Sequence, residues 1–262
     1  MKQQAPDQVS GTISTTTLAM ESLAQELLDA VIDYVPLYNA DSCSLVARRW
    51  QKRSQKRYFS SIVFSQEYDV VRWYTNIPQD PNGIPAYADS VEFQNIRCWR
   101  DPTIFGQVLK CFSRVKTLTI TDTMIKSSEV DNIVSSGEFG RELISLVLLT
   151  PWSTVPTLMP LILSFPNLSE LTIDSITPVE PPVSVLPEKT WKAKPLQSLE
   201  LAWLQGEDIE FIGSCGITSR RFELVVGDVM VEKIIAYHSK TMGELVLQGT
   251  WLLWDFKIGG SR

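Results

Sequence analysis

Beyond residue 59 one apolar phrase returns along the chain. Its clearest copies are Val115-x-x-Leu118-x-Ile120, Leu143-x-x-Leu146-x-Leu148, Leu168-x-x-Leu171-x-Ile173 and Leu196-x-x-Leu199-x-Leu201. Phe59-x-x-Ile62-x-Phe64 precedes them and Met242-x-x-Leu245-x-Leu247 follows, while Val91-x-Phe93 and Phe222-x-Leu224 are weaker copies. Their central residues, 62, 91, 118, 146, 171, 199, 222 and 245, stand 29, 27, 28, 25, 28, 23 and 23 residues apart. Apolar residues at alternate positions predict a short strand with one buried face. One such strand makes no core, whereas stacked copies bury a continuous one.

Between the phrases the apolar spacing turns helical. Ile104, Val108, Leu109 and Phe112 form one face after Pro102. Leu158, Ile162 and Leu163 form a second, and Val231, Ile234, Ile235 and His238 a third. Pro160 argues against a regular helix in the second. Strand then helix, repeated, predicts a mixed α/β fold with parallel strands. The phrase and its period resemble leucine-rich repeats, which recur about every 20–29 residues. The clearest copies lack the Asn or Cys that often follows, so the repeats are irregular. The resemblance implies a solenoid with strands on a concave side and helices outside. Two proline-rich inserts, 74–88 and 178–195, interrupt the rhythm and are predicted to be surface loops. Pro178-x-x-Pro181-Pro182 is a weak candidate for polyproline docking.

The chain ahead of the repeats is patterned for helices. Residues 1–17, rich in Gln, Ser and Thr, offer little to bury and are predicted to be a disordered tail. Ser22 is a fitting N-cap, and Gln25 completes a capping box. Leu23, Leu27, Leu28, Val31, Ile32 and Val35 then fall on one apolar stripe, which Pro36 stops. A second helix is predicted from Asp41. It carries Leu45, Val46 and Trp50 inward and Arg48, Arg49, Lys52, Arg53, Lys56 and Arg57 outward. Residues 18–60 thus read as a helical module and 61–262 as the repeat domain.

Leu23-Ala24-Gln25-Glu26-Leu27-Leu28, a turn, Cys43-Ser44-Leu45-Val46, Arg49-Trp50 and Tyr58-Phe59 follow one another in an order that resembles the F-boxes of large fungal protein families. An F-box is the helical hook that docks on the Skp-type adaptor of a cullin ubiquitin ligase. The resemblance implies that Leu23, Glu26, Leu27, Leu28, Ile32, Val46 and Trp50 build or abut the docking face. Two features depart from the family: Ala24 stands where a proline is usual, and the link from Pro36 to Asp41 is short and lacks the usual Asp-Leu pair. Both lie on the surface that docks in the family. The basic helix face would suit an acidic adaptor and speed encounter.

Composition narrows the function classes. A net charge of −6 argues against a nucleic-acid binder, and the basic helix carries no aromatic residue on the same face to stack a base. Cys43, Cys98, Cys111 and Cys215 form no C-x-x-C pair and have no metal spacing with His238, so they are expected to be reduced, mostly buried thiols. Neither a G-x-G-x-x-G loop nor a Walker motif is present, and no cofactor or catalytic residue is implied. The start has no apolar core of a secretory signal, and the most apolar stretch, Val155 to Phe165, is too short to span a bilayer. The expectation is a soluble cytoplasmic or nuclear protein with no membrane or nucleic-acid partner.

A protein target would meet the side chains between the buried leucines: Thr119, Val147, Thr172, Glu200, Glu223 and Val246. Trp152, Trp203 and Trp251 follow strands and are either binding anchors or plugs in an irregular core. The apolar run Trp251-Leu252-Leu253-Trp254 lies close to the end, so either residues 257–262 fold back as a poor cap or the chain is a shortened product. Either case predicts a tendency to aggregate. The reading is an F-box/leucine-rich-repeat substrate receptor; its alternative is a stand-alone repeat scaffold, with a hydrolase a distant third.

Overall fold

A computed structural model describes residues 24–78, 80, 83–101, 103–137, 139–178, 195–226, 244–249 and 253–254. The chain divides into two compact units, Met1–Tyr58 and Phe59–Arg262. The proposed tail, Ser22, Leu23, the predicted helix with His238, Trp251 and most of the second insert lie outside the described residues.

The first unit holds three helices among its described residues: α1 (Gln25–Tyr34), α2 (Ala40–Val46) and α3 (Arg48–Tyr58), with a 3-10 turn at Leu37–Asn39. Helix α1 ends because Val35 is held extended (φ −65°, ψ 134°) in front of Pro36, whose ring disfavours the helical region for its predecessor. Leu28, Ile32, Cys43 and Trp50 form the core, with Val35 and Ala47 packed against it.

Several expectations for this unit change. The predicted second helix is two, because Ala47 is extended (φ −157°, ψ 149°) and its carbonyl accepts the Trp50 N–H at 2.9 Å. Asp41 is not its cap but sits in the first turn of α2. Leu27, Val31 and Leu45 face solvent, not the core, because a unit this small buries only one narrow seam of each helix. Arg53 and Arg57 point at α1 rather than outward. Arg53 forms a two-point ion pair with Asp33, with Nε to Oδ1 at 2.9 Å, and Arg57 donates to the Ile32 carbonyl. A cation there meets the negative end of the α1 dipole.

The second unit is one nine-stranded sheet: β1 (Ser61–Phe64), β2 (Ser90–Gln94), β3 (Thr117–Thr121), β4 (Ser145–Leu149), β5 (Glu170–Asp174), β6 (Leu196–Ala202), β7 (Ser219–Val226), β8 (Glu244–Gly249) and β9 (Leu253–Trp254). Spatial order equals chain order. All pairs from β1 to β8 are parallel, and the eight central residues of the phrase are direct register partners: Ile62, Val91, Leu118, Leu146, Leu171, Leu199, Phe222 and Leu245. Strand β9 departs from the parallel expectation, running antiparallel to β8 with Leu247 opposite Trp254.

Helices fill the connections: α4 (Glu67–Asn76), α5 (Ile104–Cys111), α6 (Ser127–Ser136), α7 (Val155–Leu163) and α8 (Gly206–Ser214). Their buried side chains, such as Phe105, Val108, Ile133, Leu158, Ile162 and Ile212, share one core with the alternate strand residues Phe93, Ile120, Leu148, Ile173 and Leu201. Right-handed crossovers between neighbouring parallel strands place each helix on the same face when the order never reverses. Among the described residues the other sheet face therefore carries no helix layer, and its side chains are mostly half-exposed.

Two sequence expectations fail here. Helix α7 is regular through Pro160, since Thr154 caps it by accepting the Thr157 N–H and a single missing N–H in a short buried helix costs little against the packing of Leu158, Met159, Leu161 and Ile162. The first insert is only partly a loop: α4 runs to Asn76, a 3-10 turn spans Ile84–Tyr87, and Pro85 and Ala88 are buried.

Both ends of the strands are tied by a repeated backbone device. At the entry edge two successive N–H groups share one carbonyl of the preceding repeat: Lys116 and Thr117 on Asp89, Ile144 and Ser145 on Lys116, Ser169 and Glu170 on Ile144. At the exit edge Asn95, Asp122, Thr150, Ser175 and Trp203, each the first residue after its strand, have φ between 44° and 57°. Each N–H donates to a carbonyl at the end of the next strand, from Asn95 to Thr121 through Trp203 to Val225, at 2.8–3.0 Å. Asn and Asp adopt this left-handed geometry readily, but Thr150 and Trp203 hold it at a cost of about 1–3 kcal/mol each.

Two glycines separate backbone cost from packing cost. Gly137 (φ 59°) ends α6 with open space where a Cβ would stand, whereas at Gly140 (φ 80°) a Cβ would lie 2.3 Å from the buried Phe165 ring. Gly137→Ala should destabilise by about 1 kcal/mol and Gly140→Ala by about 3 kcal/mol or more. Urea unfolding checks this; equal losses at the two sites would place Phe165 elsewhere.

Candidate binding surfaces

The helical unit exposes more large apolar side chains than its narrow core buries. Along α1, Leu27 (56% exposed), Val31 (46%) and Tyr34 (90%) follow at helical spacing on a stripe beside the one that packs the core. Leu45, at the end of α2, is 87% exposed, and Leu37 and Tyr38 stand in the connecting turn. Large apolar side chains exposed together on one small unit make it a candidate interaction site. Of the residues predicted for docking, Leu28, Ile32 and Trp50 are core, so they hold the helices in place, and Glu26 and Leu27 are exposed. Val46 lies at the end of α2, its side chain outside the described residues, as is Leu23 altogether. Tyr34 and Tyr38 escaped the sequence reading: a tyrosine is a weak apolar signal at the end of a stripe, and Tyr38 lies in the turn after Pro36, outside the helical period.

The uncovered sheet face is ordered in rows by the register. One row runs Val63, Glu92, Thr119, Val147, Thr172, Glu200, Glu223 and Val246. Glu200 and Glu223 are thus direct neighbours on β6 and β7. Thr172 Oγ1 donates to Glu200 at 3.3 Å, and Arg221 reaches Glu223 at 3.2 Å. Trp203, 49% exposed, sits one residue past β6 at the exit edge of the sheet.

Trp152 is placed differently from Trp203. It is half-buried and bridges to Met124 and Thr177 in a short ladder beyond the strands. Its indole N–H donates to Asp122 Oδ1 at 2.5 Å, and the Arg97 guanidinium lies 5.1 Å over its ring. Arg97 also donates twice to Asp122 Oδ2, at 3.1 and 2.7 Å. Arg97, Asp122 and Trp152 therefore clasp three successive repeats at the exit edge, which fits the gap-plugging role for Trp152 better than that of an anchor. Sequence reading missed Arg97 and Asp122. The signal was there: the fourth residue after the phrase centre is Asn95, Asp122, Thr150, Ser175 or Trp203, mostly small polar turn formers.

Chemistry has few starting points. Among the described residues no group of three His, Cys, Asp or Glu could hold a metal ion, and no helix is long and apolar enough to cross a membrane. Cys98 is exposed against expectation, and burial pushes the Cys111 and Cys215 thiols up, away from the thiolate that a nucleophile needs. Among the described strands the order never reverses, so they form no switch point of the kind at which open α/β sheets bind ligands. In comparisons with known proteins, no family model and no curated protein matches the chain.

The clasp has a pH signature. Hydrogen bonds from Arg97, then from Trp152, hold the Asp122 carboxyl below its ordinary value of 3.8. A depressed folded-state value means that the ion pair stabilises fully above the unfolded-state value and is lost as pH falls through the folded-state one. Asn tolerates the left-handed backbone as well as Asp, so Asp122→Asn isolates the charge. It should cost about 1 kcal/mol at neutral pH, since Arg97 is largely solvated. The difference from wild type should persist down to about pH 4 and shrink below it. Chemical denaturation across pH checks this, and a difference that grows on acidification would remove the ion pair from the account.

Proposed function

We propose that the chain is a substrate-recruiting subunit of an SCF-type ubiquitin ligase, docking a Skp-type adaptor through its helical unit and a protein target through its repeats. The observation that carries this reading is the exposed apolar stripe Leu27, Val31 and Tyr34 together with Leu45, on a helical unit whose motif order resembles an F-box. Leu28, Ile32 and Trp50 fix the helices beneath it, and Arg48, Lys52 and Lys56 add positive charge for an acidic partner. In this reading the second unit is an irregular leucine-rich-repeat solenoid whose uncovered sheet face receives the target. The protein itself performs no chemistry. It raises the effective concentration of target lysines beside the conjugating enzyme.

Ala24 and the short link after Pro36 favour a second reading, a repeat scaffold whose helices dock on no adaptor. The two separate in a titration of the full chain against the adaptor subunit. Sub-micromolar binding, more than about 8 kcal/mol, is expected. Leu27→Asp with Leu45→Asp should weaken it at least about a hundredfold while leaving the melting temperature within a few degrees, because both side chains are exposed. Wild-type protein that ignores the adaptor would leave the scaffold.

A further inference from the structure

The uncovered face of the sheet is not uniform. On β1–β4 its described residues present Ser, Thr, Val, Gln and Leu side chains with one charge, Glu92. On β5–β7 they present Glu170, Asp174, Glu200 and Glu223 against one base, Arg221. Parallel sheets are ordinarily covered on both faces, whereas among the described residues this face carries no helix layer. Like charges directly opposite on neighbouring strands destabilise a sheet. Glu200 and Glu223 are such a pair, and Arg221 forms its ion pair with Glu223. A further cation placed between the two carboxylates would lower their repulsion.

We propose that the β5–β7 part of this face docks a Lys/Arg-rich extended segment of a protein partner. This rests on the reading of the repeats as the target-binding half, and names the chemistry of that target. An extended segment suits the spacing. Side chains on one of its sides recur about every 7 Å, and Glu170 or Asp174, offset by two residues from the Glu200–Glu223 row on adjacent or next-adjacent strands, stands about 8–12 Å from it. Arginines two residues apart would thus reach Glu200 or Glu223 and then Glu170 or Asp174. Trp203, half-exposed where β6 leaves the sheet, would be the ring for a third cation to reach. Phosphate-bearing partners meet the wrong sign of charge.

The test uses the full chain and a fluorescein-labelled peptide of about twelve residues, with Arg at alternate positions and Ser or Gly between. Anisotropy titrations compare wild type with two double variants that change net charge equally. Glu200→Gln with Glu223→Gln should weaken binding about tenfold or more, and Trp203→Ala by a few-fold. Asp131→Asn with Glu142→Gln, exposed and off this face, should leave it within about twofold. The replacements at Glu200 and Glu223 keep side-chain shape and remove repulsion, so the fold survives them. Equal weakening by the two double variants would mean general charge attraction and overturn the proposal, as would no binding by wild type. Salt-sensitive self-association of peptide-free protein, lost in the Glu200/Glu223 variant, would assign the face to a second copy and overturn it too. The adaptor titration is independent: peptide binding without adaptor binding keeps this inference and removes the ligase reading, and the reverse outcome does the opposite.

Discussion

Each strand from β1 to β7 pairs in parallel with the strand one repeat later, and the eight phrase centres fall in one line across the sheet. Everything else in the second unit follows from that pairing. A parallel neighbour demands a crossover, and a crossover long enough to hold a helix must lie on one face. With the direction never reversing, all helices share that face and the large apolar side chains turn toward it. Among the described residues the opposite face is left without a helix layer, its polar rows in strict order. A doubly wound sheet from the same kinds of element would have buried both faces and put any site at a crevice.

Pairing at this regularity needs each connection to leave its strand in the same way. The left-handed residue after five successive strands does this, turning the chain toward the helix face while its N–H completes the ladder to the next strand. Where the residue is Asn or Asp the turn is nearly free. Where it is Thr150 or Trp203 the neighbouring strands impose it, which shows the ladder overriding local preference. At Asp122 the device gains a second use, because its side chain also joins Arg97 to Trp152 and ties adjacent repeats at the rim.

The small helical unit is governed by scarcity instead. Four side chains make its core, and two arginines stitch α3 to the end of α1. That leaves Leu27, Val31, Tyr34 and Leu45 in water, a cost that a domain working alone would normally avoid. A partner that covers them would remove the cost.

Much of this was legible in the chain. Period-2 apolar phrases at a steady interval determined the strands, their buried side and their sequence of pairing, because alternation leaves one solution for which side chains go inward. The acids of the uncovered face were legible for the same reason. The tertiary structure alone decided the rest. Whether Leu27 and Leu45 face the core depends on how three short helices share one seam, which periodicity within a single helix does not contain. Pro160 inside α7 and the left-handed Trp203 contradict local propensity, and only packing and ladder hydrogen bonds from other repeats outweigh it. The Arg97–Asp122–Trp152 clasp joins residues from three repeats. Such contacts arise from the register between strands, which local sequence signals predict in outline but do not place atom against atom.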